Sequence, residues 1–149
     1  VFKILNKNLK NLLEFNSNHK VMNKFVSQQK LNIEFNIPTG DDFSYGTSEK
    51  YLLEEKNIPF ETIIVETTQI SEFKHSRFEI IKIDVEGSEL DVLFAIEEYL
   101  PYCNMLFIEI IDSQKDLIYN FLENKKFKPL VESKDKIGNY IFISETNIN

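Results

Sequence analysis

Residues 78–93, FEIIKIDVEGSELDVL, constrain what this chain can fold into more than any other stretch. The first half is short, apolar and rich in β-branched side chains (Ile80, Ile81, Ile83, Val85), without clean alternation. Such a run reads as a strand buried on both faces, as in a parallel sheet. Gly87 punctuates it, and Ser88-Glu89-Leu90-Asp91 has the S-x-x-D spacing of a capping box. In that motif the Ser88 hydroxyl accepts from the backbone N–H three residues on, while Asp91 reaches back to the N–H of Ser88. Beyond it, Val92, Leu93, Ile96, Tyr99 and Leu100 fall on one helical face. The stretch predicts strand, tight turn, helix over 78–100.

Capping and turn chemistry account for Ser88, Glu89 and Asp91. They leave Asp84 and Glu86, two residues apart at the carboxyl end of an apolar strand and so on one side of it while the chain stays extended. In open α/β sheets that edge is where ligands bind, and a charge there is costly to desolvate unless something uses it. The bland alternative is a pair of solvated turn carboxylates, with Glu86 favouring the helix N-terminus electrostatically.

Residues 81–93, IKIDVEGSELDVL, closely resemble the signature segment of the FkbM-type methyltransferase family. Residues 105–111 (MLFIEII), which carry Glu109, resemble the family's next strand, and residues 138–143 (GNYIFI) its final one. The resemblance implies a Rossmann-like domain that uses S-adenosylmethionine and methylates a hydroxyl oxygen on a sugar or natural product. It implies catalytic roles for Asp84, Glu86 and Glu109, with Asp84 also at the cofactor boundary. Glu86 and Glu109 would orient the acceptor hydroxyl or take its proton from two sides.

The rest of the chain has its own pattern. Residues 1–15 carry Phe2, Leu5, Leu9 and Leu12 at helical spacing, and 20–27 and 31–37 alternate as strands, the second with strict period two. Residues 39–48 (TGDDFSYGTS) read as a loop whose Phe43 and Tyr45 can cover a substrate, 49–56 as a helical turn, and 59–67 as a strand. After Pro101 come a strand over 104–111 and a helix opened by a second capping-box spacing, Ser113 to Asp116. Strands over 127–131 and 140–144 then form a hairpin at a sheet edge. Period and turn chemistry give an α/β domain with a mainly parallel sheet flanked by helices, ending in that antiparallel hairpin. The family adds the Rossmann-like order.

The 149 residues suit one domain, and 42% hydrophobic content excludes whole-chain disorder. A net charge of −7 with dispersed basic residues argues against nucleic acid and against an anionic membrane surface. The single cysteine, Cys103, reads as a small buried hydrophobe; with no Cys/His cluster no metal is expected, and a reducing cytoplasm is the default. His19 and His75 read as surface residues.

Cofactor binding of this type ordinarily takes a glycine-rich strand-to-helix turn, yet Gly40, Gly46, Gly87 and Gly138 are scattered. The chain also begins inside a helical pattern at Val1. Together these give the expectation of an N-terminally truncated, partial domain over 1–149 that is inactive alone. A non-catalytic α/β binding module, or a degenerate paralogue, stays open as the alternative.

Overall fold

The computed structural model describes residues 24–29, 31–39, 46–73 and 78–146. The helix expected over 1–15, His19, most of the strand expected over 20–27, Phe43, Tyr45 and the basic patch with His75 lie outside them. In chain order the elements are β1 (Phe25–Val26), β2 (Asn32–Pro38), α1 (Tyr51–Glu54), β3 (Phe60–Thr68), β4 (Ile80–Ile83), α2 (Glu89–Ala95), β5 (Met105–Ile111), α3 (Lys115–Asn124), β6 (Phe127–Val131) and β7 (Ile137–Ser144). Short 3-10 turns span Ile70–Phe73, Glu97–Tyr102 and Asp112–Gln114.

The strands form two sheets, ordered β1-β3-β2 and β4-β5-β7-β6. The α/β class is as expected, but a mainly parallel Rossmann sheet is not what the described residues form. Only β1–β3 and β4–β5 are parallel, whereas β2–β3, β5–β7 and β6–β7 are antiparallel. The physical reason lies in the connections. A parallel pair needs a long crossover, supplied between β4 and β5 by α2 and the 3-10 turn after it, whereas the short turn from β6 to β7 returns the chain antiparallel.

The larger sheet packs one face. Ile83 of β4, Leu106, Ile108 and Ile110 of β5, and Tyr140 and Phe142 of β7 form one core with Val92, Leu93 and Ile96, Leu100 and Cys103, and Ile118 and Leu122 of α3. The opposite face, with exposed Ile80 and Lys82 and half-buried Phe107 and Glu109, is only partly covered. So β4 is not buried on both faces; its apolar run reflects one core face plus an exposed Ile80. Cys103 is fully buried, as its reading as a small buried hydrophobe expects, and burial pushes its thiol pKa up.

Helix ends depart from the capping expectations. Ser88 and Gln114 are the N-caps of α2 and α3, and neither makes a side-chain capping bond. The apolar face predicted to run to Leu100 leaves α geometry at Ile96 and finishes as the 3-10 turn Glu97–Tyr102. Pro101 lies within that turn and keeps the α-helix from resuming, since its ring clashes with the carbonyl four residues back and it has no N–H to donate. The terminal hairpin sits at the sheet edge as expected, with Pro129 at a register shift of the edge strand β6, where a missing donor costs least.

The smaller sheet is joined to the turn after β4 through Thr47, whose hydroxyl donates to the Glu86 carbonyl and whose backbone is tied to buried Asn36 of β2. Asn36, on the face of β2 that strict alternation assigns to solvent, is 1% exposed. Its amide donates to the Thr47 carbonyl at 3.2 Å and accepts from the Thr62 hydroxyl at 2.8 Å, and its backbone bridges that of Thr47. Replacing fully buried Leu106 with Ala should cost about 2–5 kcal/mol. The same change at Ile64, 64% exposed on β3, should stay within about 0.5 kcal/mol. Urea unfolding of both variants checks where the core lies.

Candidate active site

Parallel pairing sets the level of the acidic groups. Ile83 pairs with Ile108, so Asp84 leaves β4 alongside Glu109 of β5, on the face opposite the core. Asp84, Glu86 and Glu109 each bring a carboxylate oxygen within 4.8 Å of the other two. The three residues singled out from sequence therefore meet. Asp84 is exposed and ion-paired with Lys82; Glu86 and Glu109 are half-buried.

They meet by a different route from the one expected. The chain does not stay extended from Asp84 to Glu86: Glu86 has φ +53° and Gly87 φ +105°, so a left-handed turn follows the strand. For a glutamate that conformation is uncommon and costs on the order of 1–3 kcal/mol unless its surroundings enforce it. At Gly87 a Cβ would stand 3.0 Å from the Glu49 Cγ and 3.2 Å from the Leu52 Cδ1, so α1 and its approach close over the turn.

Three side chains from three parts of the chain hold this backbone. The Thr47 hydroxyl donates to the Glu86 carbonyl at 2.5 Å, and the Gln114 amide donates to the Gly87 carbonyl at 2.6 Å. The Glu89 carboxylate, 1% exposed, accepts from the Gly87 N–H with both oxygens at 3.1 Å and from the Val85 N–H at 3.2 Å. Ser88, expected to cap the helix, instead pairs its hydroxyl with that of Ser48. Sequence reasoning missed Thr47 and Gln114, which sit in stretches read as a loop and a capping box. The one available signal was the cluster of small hydroxyl residues around Gly46.

The cluster is electrostatically loaded. Burial pushes the Glu86 carboxyl above its ordinary value, and the negative charges of Glu109, Asp84 and Glu89 push it further, against a smaller opposing pull from Lys56. Glu109 is raised by burial first, then by Asp84 and Glu89, with Lys82 opposing. Chemically, such a group can accept hydrogen bonds from ligand hydroxyls, take a proton, or supply the oxygen donors of a hard cation. Two clefts among the described residues lie elsewhere. One of about 530 Å³ is lined by Ser27, Gln28, Phe94 and Glu97, and one of about 240 Å³ by Tyr119, Phe127 and Phe142; neither includes a triad residue. Among the described residues no helix is long and apolar enough to cross a membrane.

A raised carboxyl binds its proton more tightly folded than unfolded, so it favours the folded state below the ordinary value of 4.5 and that contribution is lost as pH rises through the raised one. Glu109→Gln removes one such group. Its Tm should exceed that of the unsubstituted protein at neutral pH, with the difference closing on acidification below the ordinary carboxylate range; melting curves at several pH values check this.

A comparison with protein families matches residues 3–129 to the methyltransferase FkbM domain. Comparison with curated proteins and with solved structures finds no match.

Proposed function

Because the chain belongs to the FkbM methyltransferase family, we propose that it takes part in methyl transfer from S-adenosylmethionine to a hydroxyl oxygen, on a sugar or natural product, at the Asp84–Glu86–Glu109 cluster. The observation that carries this reading is the convergence of those three carboxylates beside the ends of the paired strands β4 and β5. The match to the family spans most of the chain, and the clustered residues include Asp84 and Glu86 of the segment at 81–93.

The donor set fits the cofactor. Asp84 is exposed, and its carboxylate can accept from hydroxyl donors, while a patch of three carboxylates complements a positively charged sulfonium. Bound there, S-adenosylmethionine supplies an electrophilic methyl group. The remaining task falls to side chains: to hold the acceptor oxygen in line and to receive its proton. Glu86 and Glu109 suit the second role because their raised pKa values bring them nearer to operating pH. We assign the acceptor hydroxyl to these two, the cofactor contact to Asp84, and the activity to the reducing cytoplasm.

Calorimetric titration of the full-length protein with S-adenosylhomocysteine tests the cofactor half. Asp84→Asn should weaken binding roughly ten- to a hundredfold, the range of a lost charged hydrogen bond. An assay of S-adenosylhomocysteine release with hydroxylated acceptors tests the rest, and either Glu86→Gln or Glu109→Gln should lower kcat by about 10²-fold or more. A protein that neither binds S-adenosylhomocysteine nor releases it is a non-catalytic binding module instead.

A further inference from the structure

The geometry points to Glu89 as the positioning residue of this site: its buried carboxylate holds the 85–87 turn in the one conformation in which Asp84 and Glu86 face Glu109. The effect on turnover rests on the methyltransferase reading; the placement of the turn does not.

Four observations support it. Glu89 is 1% exposed, and its side chain makes its hydrogen bonds to the Val85 and Gly87 N–H groups, so it is spent on the turn rather than on solvent or a cation. Those N–H groups flank Glu86, whose φ of +53° relaxes toward ordinary regions unless both sides are held. Thr47 and Gln114 fix only the carbonyls of Glu86 and Gly87, so Glu89 is what holds the N–H side: that of Gly87, in the peptide whose carbonyl Thr47 holds, and that of Val85 one peptide before the turn. Finally, the choice of a carboxylate runs against stability. Its charge adds to the repulsion on Glu86, Glu109 and Glu49, and a neutral acceptor would satisfy a helix start without that cost. What a neutral amide lacks is a second acceptor oxygen, and here both oxygens face the Gly87 N–H.

Glu89→Gln in the full-length protein keeps the side-chain volume while turning an NH2 group toward a backbone N–H. Amide hydrogen exchange at Val85 and Gly87 should quicken by about tenfold or more while the buried amides of β5 keep their rates. S-adenosylhomocysteine release should lose about 10²-fold in kcat with the acceptor KM changed by less than about threefold, since a misplaced base hurts the transition state rather than ground-state binding. Added to Glu86→Gln, the same change should cost little more in kcat, because on that step both act through Glu86. Unchanged exchange at Val85 and Gly87, or losses that multiply in the double variant, overturns the assignment. If the unsubstituted protein releases no S-adenosylhomocysteine, the methyltransferase reading falls, and the exchange rates alone decide whether Glu89 holds the turn.

Discussion

The pairing of Ile83 with Ile108 is the contact on which the rest depends. Both side chains point into the core, so their burial fixes the register of β4 against β5. A slip of one residue would carry Ile83 to the open face and Asp84 into the core, an exchange that costs both apolar burial and a stranded charge. Register and charge placement are therefore one constraint. The core face decides where the open face presents its acids.

On that open face the carboxylates gather at the strand ends rather than along the strands. Three side chains spread over nearly seventy residues, Thr47, Glu89 and Gln114, converge on the backbone of two, Glu86 and Gly87. Such over-determination is what lets a non-glycine residue stay in a left-handed conformation. In the methyl transfer proposed above that local strain would have a use, since in-line displacement is sensitive to small errors in the placement of the reacting groups.

Much of this was legible in the sequence. The strand–turn–helix unit, strands β2 to β5 and the terminal hairpin follow from apolar period and turn residues, and Asp84, Glu86 and Glu109 stand out as charges in apolar runs. What was not legible depends on partners distant in the chain. Ser88 has capping spacing but is claimed by Ser48. Asn36 occupies an outward position by alternation and is buried because Thr47 and Thr62 satisfy it. The balance of parallel and antiparallel pairs is set by how connections return, which period alone does not encode. Glu89 looked like an ordinary first-turn acid, and only its burial reveals where its oxygens go.

The Asn36–Thr47–Thr62 contacts have a mechanical consequence. Thr47 is clamped on one side to the β2 backbone and on the other to the Glu86 carbonyl, so it acts as a rivet between the β2–β3 ribbon and the acidic corner. Pulling the β2–β3 ribbon away from the body of the protein would withdraw that hydroxyl and leave Glu86 free to relax. Integrity of the smaller sheet, which carries none of the three clustered acids, thereby becomes a condition for the shape of the larger one's acid-bearing edge.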